Sequence, residues 1–202
     1  MEKAIMDRVK NQVKNLKVLS EELQVQMALG KAEARDLIEA ERKNLSQYIN
    51  RQRHRINDWN TDTGENRREF LTAVENLEAA LNAEVPVESV KYDMYKKELL
   101  RKIYKVEEEI KENYAEMGFE MQETLDVFKA KMDAFRVNLA LHDKDDPTRV
   151  DRIRSEFTVK LEEVRTLLAK EEGDQTRLDH FVEDLSESFN YLKKAISDLS
   201  NN

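Results

Sequence analysis

The sequence predicts an all-α fold made of few, long helices, and three observations carry that prediction. Its 202 residues include only four Gly and two Pro, the residues that most strongly force a helix to stop. Charged residues make up 38% and aromatic residues 7%, a balance closer to long-helix and coiled-coil chains than to average globular ones. Apolar residues also recur with a three-four alternation over most of the length, as a helical seam requires.

Val13, Leu16, Leu23, Met27, Gly30, Ala34, Leu37, Leu45 and Tyr48 form one such seam, interrupted in polarity at Ser20 and Glu41. They predict a single helix from near Val9 to about Trp59, a rod of roughly 80 Å at 1.5 Å per residue. Gly30 and Ala34 read as small seam residues that let neighbouring helices approach, the glycine costing about 1 kcal/mol in helix propensity. The run NTDTGEN then gathers turn formers, with Asp62 or Thr63 as the expected N-cap of a second helix. That helix carries Phe70, Val74, Leu77 and Leu81 and stops near VPVES, where Pro86 cannot continue the ladder.

A third helix is expected to run unbroken from about Glu88 to His142, through Tyr95, Leu99, Val106, Ile110, Met117, Met121, Phe128, Met132, Phe135 and Leu139. Asp146 and Pro147 supply a stop and a restart, as N-cap and first helical residue of a fourth helix. This one presents Phe157, Leu161, Val164 and Leu168 before Gly173, and a fifth follows with Leu178, Val182, Leu185, Phe189, Leu192 and Ile196.

These helices contain an internal repeat of roughly 87 residues. Arg67-Arg68-Glu69-Phe70 lies opposite Arg154-Ser155-Glu156-Phe157, and Leu29-Gly30 opposite Met117-Gly118 with a shift of one. Two consecutive three-helix bundles, residues 30–115 and 116–202, account for the repeat if they share the third helix. The topology is similar to spectrin-like tandem repeats, although the period here is shorter and Trp59 sits at a helix end. The remaining residues, 1–29, form a helical extension whose stripe of Val9, Val13, Leu16, Leu19, Leu23 and Met27 has no pair of helices to cover it. An exposed stripe of that length is expected to be buried in a homodimer.

At LQVQMALGKAEARD and again at VEEEIKENYAEM the chain resembles a group of small uncharacterised bacterial coiled-coil proteins. In that family a segment close to LxVQLxLGKAEAKD opens the helical region and one close to EEIKEGYxxI closes it. The resemblance covers residues 19–45 and 99–117. It implies a soluble, helical bacterial protein and carries over no catalytic residue.

Several chemistries are excluded by residue type. With no Cys there are no disulfides, thiolate metal sites or thiol nucleophiles, which fits a reducing compartment. A di-iron bundle site needs E-x-x-H, but Arg51, Leu139 and Arg177 stand three residues before His54, His142 and His180. No Gly-rich phosphate loop or G-x-S-x-G elbow occurs, so neither a cofactor nor an enzymatic activity is expected. The N-terminus has no signal-peptide core, and no segment approaches 18 consecutive apolar residues. A cytoplasmic location is the expectation.

Formal charge is −8, distributed unevenly: residues 1–60 carry 12 Lys and Arg against 9 Asp and Glu, the remainder 22 against 33. The densest basic run, Arg51, Arg53 and Arg55 with Arg67 and Arg68 across the turn, is a candidate docking spot for an acidic protein surface. It is too small a patch on too acidic a chain for nucleic acid. The expected function is a non-enzymatic structural or interaction protein, an elongated helical scaffold or spacer with an unknown protein partner. The alternative is a peripheral membrane protein whose bundle opens so that its amphipathic helices lie on lipid.

Overall fold

A computed structural model describes residues 2–57 and 64–142, with isolated positions at 155, 159 and 194. The described segments form five helices: α1 (Glu2–Ala28), α2 (Lys31–Asn57), α3 (Gly64–Leu81), α4 (Ser89–Asn113) and α5 (Ala115–His142). The all-α class is therefore observed, and among the described residues there is no strand. The fourth and fifth expected helices, with their caps at Asp146, Pro147 and Gly173, lie outside the described residues, as do Asp62 and Thr63.

Each of the two long expected helices is divided in two. The first breaks at Leu29-Gly30. Gly30 is the N-cap of α2: its carbonyl accepts from Ala34 N–H at 2.9 Å, and its own N–H donates to Glu33 Oε2 at 3.0 Å. That is the carboxylate half of a capping box, in which the third helical residue reaches back to the cap. Gly30 therefore starts a helix rather than adjusting the packing of a continuous one. On α2 the expected Ala34 and Leu45 are buried, whereas the expected Leu37 and Tyr48 are only half-buried and their neighbours Ile38 and Ile49 are buried instead.

The second break is at Tyr114, whose φ of −136° and ψ of 48° end α4 while its N–H still donates to Ile110 O. No Gly or Pro marks the corner. Its ring is 3% exposed and meets Phe70 of α3 with centroids 5.0 Å apart, so a buried aromatic contact fixes the turn. The helix expected to pass unbroken from 88 to 142 is thus corrected to two antiparallel ones. Tyr92 Oη donates to Met132 O at 2.9 Å, a pair that an unbroken helix would hold about 60 Å apart. Gly118 also differs from Gly30, because it lies inside α5. A Cβ there would stand 3.4 Å from Ile110 Cγ2, so the small residue lets the first turn of α5 approach the end of α4.

The chain divides into two compact units, residues 35–132 and residues 1–34 with 133–202. Within the first, α2 and α3 run antiparallel, with Arg53 paired to Glu78 near one end and Arg35 to Glu84 near the other. Phe70, Val74, Leu77 and Leu81 are all buried on α3, and α4 packs on it through Tyr92, Leu99, Ile103, Val106 and Ile110. α5 closes the ring against α2, where Lys131 pairs with Glu41 at 2.7 Å. The result is an up-down-up-down four-helix bundle. The expected boundary at 115/116 falls at the α4–α5 corner inside this unit, and the expected second bundle depends on residues mostly outside the described ones.

In the second unit, residues 134–141 of α5 are buried on every face, including Arg136 and Asn138. A helix buried all round needs neighbours on all sides. α1 supplies one of them, through contacts described below.

The Tyr114 corner has a direct test. Nitroxide labels at positions 91 and 131 should report a separation on the order of 20 Å, set by helix spacing plus label arms, where an unbroken helix would give about 60 Å. A distance near the longer value would remove the four-helix bundle.

Candidate functional site

The expected dimer stripe is described at three of its six positions. Leu19 and Leu23 are 3% and 0% exposed within the single chain, and Met27 is half-buried. The side chains of Val9, Val13 and Leu16 lie outside the described ones. What holds α1 is a polar clasp. Its last turn has no basic residue to cap the terminal carbonyls. Asn138 supplies the missing donor from α5: its Nδ2 donates to Gln26 O at 2.7 Å and to Leu29 O at 3.0 Å. His142 Nε2 lies 3.1 Å from the same Leu29 carbonyl.

The basic run is partly spent on the bundle. Arg53 bridges to Glu78 at 3.0 Å, and Arg55 donates to Gln52 Oε1 at 3.0 Å. Arg67 is half-buried, while Arg51 and Arg68 are exposed. The five arginines therefore divide between joining helices and facing solvent.

Two polar clusters inside residues 35–132 escaped the sequence reading. In the first, the Glu39 carboxylate accepts from Val85 N–H at 3.0 Å and from Arg42 at 2.6 and 2.9 Å, tying α2 to the α3–α4 connection. Burial alone would raise its pKa, but these hydrogen bonds and the Arg42 and Arg35 charges bring it below the ordinary carboxylate value. Nearby Tyr95 is pushed up to about 12 by burial, and its hydroxyl has no hydrogen-bond partner among the described residues.

Lys129 of α5 centres the second cluster, with Nζ 2.7 Å from Glu107 Oε1, 2.6 Å from Asp126 Oδ1 and 5.4 Å from the Tyr104 ring centroid. Burial would lower its pKa, yet the bonds to Asp126 and Glu107 outweigh that and hold the ammonium above its usual value. A lysine so held is a fixed cation at neutral pH, not a nucleophile or base. Gln122 also donates to Glu107, at 2.7 Å. The i, i+15 and i, i+22 spacings of these pairs are unreadable without knowing that α5 folds back.

A groove of about 1150 Å³ runs beside α4 between Asn76 of α3 and Gln122 of α5. Its lining alternates in sign, and Lys105 is engaged with Glu108 and Glu109 of its own helix. Among the described residues, no group of three or more His, Asp or Glu could hold a metal ion, and no helix is long and apolar enough to cross a membrane.

The solvent face of α4 shares Arg101, Tyr104 and Lys105 with this groove and extends to Val90 and Met94. Val90 and Met94 are 69% and 71% exposed and Tyr104 is 56% exposed. At 100° per residue they share one sector of about 100° with Lys97, Arg101 and Lys105, opposite the buried Leu99, Ile103 and Val106. No family model, no curated protein and no solved structure matches this chain. The sites therefore stand on their own geometry.

Two substitutions test it. Asn138→Ala should cost about 1–3 kcal/mol in urea unfolding, because it removes the amide donor shared by two helix-end carbonyls, whereas a neutral result would deny the clasp its role. Tyr95→Phe should be neutral or stabilising at pH 7. The wild-type phenol is held neutral in the fold, so its contribution is complete below pH 10 and lost as pH rises through about 12. The variant should lack that alkaline loss in pH-dependent melts.

Proposed function

We propose that this chain is a non-enzymatic interaction protein that offers a preformed helix surface to a partner. The observation that carries the reading is a division of labour among side chains. Inside residues 35–132, the polar groups at Glu39, Glu107 and Lys129 are occupied in joining one helix to another. On the outside, α4 leaves large apolar side chains among cations in solvent. What supports a docking role is the clustering of such residues with cations on one face, since apolar side chains exposed singly are ordinary.

A cytoplasmic setting belongs to the same proposal, supported by the absence of Cys. So does a tandem, spectrin-like relation between the two halves, which rests on the sequence repeat between 67–81 and 154–168. An elongated helical scaffold or spacer stays part of the reading, built from shorter helices than the two expected rods. Homodimerisation through residues 1–29 would have to use positions other than Leu19 and Leu23 if the single-chain fold is kept. Leu23→Asp is accordingly expected to lower the melting temperature, not to convert a folded dimer into a folded monomer in sedimentation equilibrium.

The docking role is tested in the native host lacking this protein. Glu107→Gln with Lys129→Met removes the buried charges while keeping volume, and should restore the host's phenotype if circular dichroism shows the variant folded. Lys97→Glu, Arg101→Glu and Lys105→Glu together should not restore it. The opposite pattern would mean that the interior cluster performs the function, and would overturn the reading.

A further inference from the structure

We infer that the solvent face of α4 docks the intact bundle onto an anionic lipid surface. The inference rests on the docking role proposed above and names its partner. It differs from the opened-bundle mode because the face is already exposed while the core of α4 remains closed.

The residues are Val90, Met94, Lys97, Arg101, Tyr104 and Lys105, arranged along one stripe of the helix. Over residues 90–105 the stripe is about 22 Å long at 1.5 Å per residue. Val90 and Met94 project from it, Tyr104 presents the open part of a ring that also meets Lys129, and three cations are interleaved at helical spacing. That is how an interfacial helix divides its work: apolar groups enter the boundary of the acyl chains while lysine and arginine stems reach the headgroups. The surrounding charge agrees. Residues 89–105 hold six Lys and Arg against one Asp and one Glu, in a chain whose formal charge is −8. The cations are concentrated where the exposed apolar residues are.

Existing ion pairs leave most of the face available. Arg101 pairs with Glu98 and Lys105 with Glu108, both more than half exposed on both partners, while Lys105 also pairs at 3.1 Å with the buried Glu109. The two exposed pairs contribute little in water, and Val90, Met94 and Lys97 lie apart from all three.

Area and composition favour lipid over a protein partner. A stripe 22 Å long and about one helix diameter wide offers roughly 200 Å², against about 800 Å² per partner in a stable protein interface. Protein interfaces are also depleted in lysine. A bilayer demands neither shape complementarity nor that area, and it rewards each cation separately, by about fivefold in binding constant.

The test is sedimentation of the full chain with vesicles of phosphatidylcholine alone, or with 30 mol% phosphatidylserine. Binding is expected only to the anionic vesicles, with unchanged helicity, and should be lost in 0.5 M NaCl. Lys97→Gln, Arg101→Gln and Lys105→Gln together should weaken it by about 100-fold, and Met94→Ser by about tenfold. Arg51→Gln with Arg68→Gln, exposed cations outside α4, should leave it nearly unchanged. Failure to bind anionic vesicles, equal sensitivity to both sets of substitutions, or binding with a gain in helicity would each overturn the inference. If vesicles fail while the host still requires the three cations, the docking role stands and the stripe belongs to a protein surface instead.

Discussion

The reversal of the chain at Tyr114 is what makes a closed bundle out of residues 35–132. Without it α5 would continue away from α4, and the buried faces of α2 and α4 would each lack a neighbour. The turn is secured from inside: Tyr114 is packed against Phe70, and Gly118 gives the returning helix room beside Ile110. A corner of this type depends on tertiary contact. Neither proline nor a left-handed glycine defines it, and the peptide alone has every reason to remain helical.

Once α5 lies beside α4 and α2, charged residues meet that are far apart along the chain. Glu41 reaches Lys131, and Glu107 reaches Lys129 and Gln122. These contacts are half-buried, so each carboxylate loses some hydration and regains it as hydrogen bonds from a cation or an amide. Their value lies in register as much as in strength. A slip of α5 by one turn would separate every pair at once, whereas the apolar seam alone would tolerate it.

Much of the fold was legible because periodicity reports burial within a helix. The seam of α3 was legible in Phe70, Val74, Leu77 and Leu81, all of them buried, with Ala73 added by the fold. In α2 the reading holds at Ala34 and Leu45 and misses by one residue at Leu37 and Tyr48, where Ile38 and Ile49 are the buried ones. The glycine was visible, but its role was hidden because Ser, Thr, Asp and Asn are the usual advertisement of an N-cap. Glu33, three residues later, was the available sign. Both segments that carried the family resemblance include a corner, LGKAEARD the first and NYAEM the second. The face of α4 was harder to see: Val90 and Met94 are ordinary helix residues in a string, and only the exposure of their side chains separates them from the core.

The clasp between Asn138 and the end of α1 joins groups 112 residues apart in sequence. During synthesis α1 leaves the ribosome first, and its closing donor follows roughly 5–20 s later at ordinary elongation rates. For that interval the carbonyls of Gln26 and Leu29 lack the amide of Asn138. The nascent helix must therefore wait with its end undocked, and a release of the chain short of residue 138 leaves that end without this donor for good.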